Sequence, residues 1–195
     1  MIKRERYLKE LIEAKGNGFP KVITGIRRCG KSYLLKEIYR SYLLEHGVEA
    51  SEILNVELDD IVNAKYRNPF ELTEYVKNWA ATSSKMHYVF IDEIQLVSPV
   101  INPSFTDGKI IIAKPTDPNA ITFVDVVLGL SRIANVDLYV TGSNSKLLSK
   151  DIVTEFRDKA TNIHLAPLTF KEFYDFVGGD RHDAFNEYLV YGGMP

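Results

Sequence analysis

The chain has one cysteine, Cys29, in 195 residues, so no disulfide can form within it. That suits a reducing compartment, and a cytoplasmic location is the expectation. It has no run of about 18 apolar residues, the length a membrane-crossing helix needs, so no membrane partner is expected. The N-terminus carries Lys3, Arg4 and Arg6 at once and lacks the apolar core of a signal peptide. There is little charge of one sign: 24 Lys plus Arg stand against 26 Asp plus Glu, a formal −2. No global basic field points to nucleic acid, which leaves a local patch as the only electrostatic route to DNA. Internal repeats and low-complexity segments are also missing.

What is there is 45% hydrophobic and 26% charged, the balance of a soluble domain with a buried core. The length suits one domain, or one domain with a small appendage. Tyr7, Leu8, Leu11 and Ile12 make an amphipathic stripe over 4–15, and Gly16-Asn17-Gly18-Phe19-Pro20 ends it. Lys21–Thr24 reads as a buried strand, followed by a helix over 31–46. A second strand spans 53–58, and a helix spans 70–81 after Asn68-Pro69. His87–Ile91 is a nearly continuous apolar run, typical of a central parallel strand covered on both faces. The stretch 97–120 holds four prolines with Asp107-Gly108 between two β-prone pieces, which predicts a hairpin-like insertion. Beyond it come a helix over 121–134, a strand over 137–141, a helical or broken-helical stretch over 145–157 and a short strand over 163–165. Helices over 168–177 and 183–191 form a C-terminal appendage within 166–195. Alternating strands and helices predict an α/β fold, a parallel sheet with helices on both faces.

Gly25-Ile26-Arg27-Arg28-Cys29-Gly30-Lys31-Ser32 fits G-x-x-x-x-G-K-[ST] at every fixed position. It lies between a predicted strand and a predicted helix. A turn there aims several backbone N–H groups at one point and favours an anion. Lys31 would bring its charge to the β- and γ-phosphates of a nucleotide, and the Ser32 hydroxyl would hold Mg2+. A β-carbon at the glycines would block close approach or forbid the turn's dihedrals. The nucleotide-binding set is Gly25, Ile26, Arg27, Arg28, Cys29, Gly30, Lys31, Ser32 and Tyr33. Arg27 and Arg28 occupy variable positions and suit solvent as well as phosphate. Cys29 fits as a small loop residue or as a thiol near a helix N-terminus.

Asp92-Glu93 ends the apolar strand and supplies the acidic partner of such a loop. Asp92 would hold Mg2+, directly or through water, together with Ser32, and Glu93 would orient or deprotonate the attacking water. Thr141-Gly142-Ser143-Asn144-Ser145 ends another strand. Asn144, Ser143 or Thr141 would bond the γ-phosphate or the water, and Asn144 is placed in the catalytic set. The same residues suit a helix N-cap. Gln95 reads as a contact to water or substrate, or as an exposed helix-start residue.

With Pro167-Leu168-Thr169-Phe170-Lys171-Glu172-Phe173, these strings resemble, in the same order, a prokaryotic AAA+-like P-loop ATPase family related to archaeal-type ATPases. The resemblance extends from Arg6-Tyr7-Leu8 to the closing Gly192-Gly193-Met194-Pro195. It implies a P-loop NTPase sheet with an extra strand between the two motif strands, a single ATPase domain over 1–195, and ATP with Mg2+ as ligands. Its members continue into a winged-helix and restriction-nuclease-like region, which would make such a module, and DNA, partners of this one. Where the family often has an arginine pair, this chain has Arg157-Asp158-Lys159. Arg157 is then either a trans-acting arginine finger in a homo-oligomer or a surface residue. The function expected is ATP hydrolysis that moves an attached or partner module. The alternatives are a nucleotide switch with little hydrolysis and a small-molecule kinase. The acidic pair and the Ser-Asn-Ser strand end argue against the kinase.

Overall fold

The computed structural model describes residues 2–114, 116–143, 156 and 158–194. Five parallel strands form the main sheet: β1 (Lys21–Gly25), β2 (Ile53–Glu57), β3 (His87–Asp92), β6 (Val136–Ser143) and β7 (Thr161–Leu165). Their spatial order is β2-β3-β6-β1-β7, so β6 lies between the strands that carry Gly25 and Asp92. That is the inserted-strand arrangement expected from the resemblance.

The apolar runs alternate sides. Val22, Val89, Ile91, Leu138 and Val140 join Leu54 and Val56 in one core cluster, which includes Leu72 and Val76 of α4 (Pro69–Ala80) and Val127 of α5 (Phe123–Leu130). Ile23, Phe90, Tyr139, Ile163 and Leu165 face the other way. They meet Leu11 of α1 (Glu5–Ala14) and the helix that follows the phosphate loop. Both faces of the parallel sheet are thereby covered, which is why the central strands β1 and β3 are buried along their whole length while the edge strands β2 and β7 alternate.

The helix expected over 31–46 is present but not uniform. It runs as α2 (Lys31–Tyr33), a π-helical stretch (Leu34–Tyr39) and α3 (Arg40–Glu45) without interruption. Leu34, Leu35, Ile38, Tyr39 and Leu43 are buried along it. The helix expected over 121–134 starts later, at Phe123. Thr122 caps it through a reciprocal bond with Asp125, and Ile121 is drawn into pairing with Val100. A 3-10 helix (Ile61–Arg67), unmarked by any periodicity, links β2 to α4.

The 97–120 stretch holds β4 (Val100–Ile101), paired antiparallel with β5 (Ala120–Ile121). The Ile101 N–H donates to the Ile111 carbonyl at 2.8 Å, and between them Asp107 and Gly108 take φ values of 50° and 80°. α6 (Phe170–Val177) and α7 (Arg181–Tyr191) close the chain as a helical pair, with Phe170 edge-on to Phe185 at 5.1 Å. The predicted helical stretch over 145–157 falls almost wholly outside the described residues. Among the described residues, no helix is long and apolar enough to cross a membrane.

Candidate nucleotide site

β1 and β3 run parallel and end on the same edge of the sheet, where Gly25 and Asp92 lie. The two motif glycines are needed for different reasons. Gly30 has φ 94°, a left-handed conformation that only glycine adopts without strain. Gly25 has no such dihedral. A β-carbon there would strike the Leu165 carbonyl of the neighbouring strand and come within 2.6 Å of Cys29 Sγ. Gly25 is thus small because β7 and the loop's own cysteine close over it. Burial pushes the Cys29 thiol up, against the pull of nearby Lys31, so this buried residue packs and is not poised as a thiolate.

Ile26, Arg27 and Arg28 are exposed, and Arg28 has φ 66°. Tyr33 is half-buried against the α1-side core. By helix geometry, the first N–H groups after Gly30 have no acceptor within the helix. Lys31 is buried, and its ammonium donates to the Gly25 carbonyl at 3.2 Å and the Ile26 carbonyl at 3.0 Å. The lysine therefore lies folded along the loop that it is expected to serve.

Asp92 is buried and held on both oxygens. The Thr141 hydroxyl donates to Oδ1, and the Lys36 ammonium stands 3.2 Å from Oδ2. Burial pushes the Asp92 carboxyl up, but hydrogen bonding from Ser32 and Thr141 and the Lys36 charge outweigh it. The net displacement is below the ordinary 3.8. Lys36 shows the mirror image: burial lowers it, while Glu57 at 2.7 Å and Asp92 more than offset that, so it is raised.

Glu93 follows in the left-handed region, φ 55°, a conformation that costs a non-glycine residue about 1–3 kcal/mol and recurs at functional sites. Its N–H donates to Thr141 Oγ1 at 3.2 Å. The Gln95 amide donates to the Glu93 carboxylate. Gln95 Oε1 is buried and has no hydrogen-bond partner among the described residues.

Gly25, Lys31, Ser32, Asp92, Glu93 and Thr141 thus converge at one edge. Thr141 acts differently from expectation. It is fully buried, and its hydroxyl ties Asp92 to the backbone of Glu93, which makes it a positioning residue for the acidic pair. Gln95 touches Glu93 directly. Asn144 and Arg157 lie outside the described residues. Lys36 and Glu57 were missed by sequence reading. The available signal was spacing: Lys36 follows Ser32 by one helical turn, and Glu57 ends a strand of the same sheet.

A phosphate loop and an acidic strand end, separated by one inserted strand in a parallel sheet, define a P-loop ATPase module of the α/β class. A family model described as an AAA domain matches residues 17–174, and the chain belongs to that family. An uncharacterized protein of Haemophilus influenzae is 32% identical over 200 residues, covering all of this chain and 44% of its own length. An uncharacterized protein of Methanocaldococcus jannaschii is 27% identical, covering 90% of this chain and 35% of its own length. The chain therefore spans less than half the length of the curated relatives it matches. Among solved structures, the Walker-type ATPase of Pyrococcus abyssi superposes with a TM-score of 0.55 at 15% identity. It covers all of this chain, which spans 65% of that structure.

Proposed function

We propose that this chain binds and hydrolyses Mg2+–ATP and passes the resulting motion to an attached or partner module. The observation that carries the reading is the meeting of Lys31, Ser32, Asp92 and Glu93 at one sheet edge, with Thr141 tying the two carboxylate residues together. The donor set suits the metal. A serine hydroxyl and a carboxylate are the hard oxygen ligands that Mg2+ takes beside phosphate oxygens. Asp92 already draws a cation, the Lys36 ammonium. When bound, Mg2+ would neutralise phosphate charge as the terminal phosphoryl group leaves.

The chain's own residues would do the rest. Lys31 leaves the Gly25 and Ile26 carbonyls to meet phosphate oxygens. Ser32 and Asp92 would hold the metal. Glu93 would orient the attacking water, and Asn144, by its place in the sequence after β6, would bond the γ-phosphate or the water. Arg157 would act on a neighbouring copy's nucleotide. In phosphoryl transfer, placement and charge provide most of the rate.

Lys31→Ala should reduce both nucleotide affinity and turnover, with turnover down about a hundredfold or more, the scale of a lost transition-state contact. Unchanged affinity and turnover would remove the site assignment. Glu93→Gln should still bind ATP yet release almost no phosphate. A slow nucleotide switch is the second reading, favoured by the Gln95 amide on the Glu93 carboxylate. Steady-state phosphate release separates the two, measured with and without DNA and across protein concentration. A rate that climbs with concentration supports assembly and Arg157. A rate that stays negligible in every condition supports the switch.

A further inference from the structure

Asp92 can serve a metal only if it is free to take one, and Lys36 stands in the way. Its ammonium lies 3.2 Å from Asp92 Oδ2 and 2.7 Å from Glu57 Oε2. Lys36 emerges from the π-helical stretch Leu34–Tyr39, within two turns of Ser32 on the same helix. Widened turns of this kind are rare and recur at functional sites. Glu57 pairs in register with Asp92 across β2 and β3, so the two carboxylates sit side by side with one cation between them. They are not equivalent. The Asp92 side chain is 9% exposed, and the Glu57 side chain is 47% exposed. An ammonium that leaves Asp92 therefore has a solvated carboxylate already in contact.

We propose that Lys36 is the counter-cation of Asp92 and yields it to the metal on nucleotide loading, with its ammonium retained by Glu57. This rests on the Mg2+–ATP reading above. Lys36 and Glu57 are positioning residues under this scheme, and neither needs to touch the nucleotide. The competition has a sign for each. Without Lys36, Asp92 is left with uncompensated charge and takes the metal more readily. Without the Glu57 charge, the ammonium has Asp92 alone and gives it up less readily.

The test uses a fluorescent ADP analogue on the full chain, with affinity measured in Mg2+ and again in EDTA. The ratio of the two affinities is the metal-dependent gain. Lys36→Met should raise that gain about fivefold or more, and Glu57→Gln should lower it by a similar factor, within the usual range of coupling between sites. Lys36→Arg, which keeps the charge, should stay near the wild-type ratio. A damaged fold cannot imitate a gain that rises in one variant and falls in the other. If the wild type shows a metal-dependent gain and the two variants do not split in opposite directions, this proposal fails while the function stands. If the wild type binds the analogue without regard to metal, or not at all, both fail.

Discussion

Two lysine–aspartate pairs sit at opposite ends of the same sheet, and they are built differently. At the edge where the strands begin, Lys21 pairs with Asp137, with side chains 0% and 4% exposed. Asp137 also accepts from the Gly16 N–H at 3.0 Å and the Tyr139 hydroxyl at 2.8 Å, and Tyr139 meets Tyr39 at 2.6 Å. At the edge where the strands end, Lys36 divides itself between Asp92 and a half-exposed Glu57. The first pair is sealed from solvent, and it joins β1 to β6. The second has a cation with somewhere else to go. The two pairs thus differ in whether the cation has a second carboxylate within reach.

The largest effect is expected at the sealed end. Lys21→Met strands a buried carboxylate, which costs about 3–5 kcal/mol. For a chain of this size, that lowers the melting temperature by roughly 10 °C. A second change, Asp137→Leu, should recover only part of the loss, because it removes the stranded charge but leaves the Gly16 N–H and the Tyr139 hydroxyl without their acceptor. Lys36→Met should cost less, about 1–2 kcal/mol, since Asp92 keeps Ser32 and Thr141 and the Lys36 side chain is itself partly exposed. Equal losses at the two ends, read by thermal unfolding, would erase the distinction between them.

A smaller effect comes from acid. The Asp92 carboxyl is held below 3.8, so its folded form binds its proton less tightly than the unfolded chain does. Stability from this group is then fully present above the unfolded value and drains away as pH falls through the folded one. The stability gap between wild type and Asp92→Asn should be level from neutral pH to about 5 and close below about 3.8. A gap that closes near neutral pH would mean that Lys36 and Ser32 do not favour the ionised form.

How much of this was legible follows from what each feature depends on. The loop Gly25–Ser32 and the Asp92-Glu93 pair are written in consecutive residues, because one turn and one strand end build them. The sheet order was legible only through resemblance to a family, since no local pattern says that β6 slips between β1 and β3. Lys36, Glu57 and Gln95 were not legible as a network, because helix facing and strand adjacency create it. The π-helical stretch was equally hidden: Leu34–Tyr39 carries an ordinary helical stripe. Lys21 and Asp137 read as members of two apolar strands. Their pairing appears only when β1 and β6 lie side by side.

The finest test concerns the direction of hydrogen bonds at the sealed end. The Tyr139 hydroxyl donates to Asp137, so its own oxygen is free to accept, and Tyr39 must be the donor to it. Burial pushes both tyrosine hydroxyls up, most strongly Tyr139 beside the Asp137 charge, so both stay protonated donors. Tyr139→Phe removes a bond to a buried carboxylate and should cost about 1.5–3 kcal/mol. Tyr39→Phe removes only a neutral bond to an oxygen whose proton is already placed, and should cost about 1 kcal/mol or less. Urea unfolding of the two variants orders them. If Tyr39→Phe proves the more damaging, the chain of donors runs the other way and Asp137 is held by less than its contacts suggest.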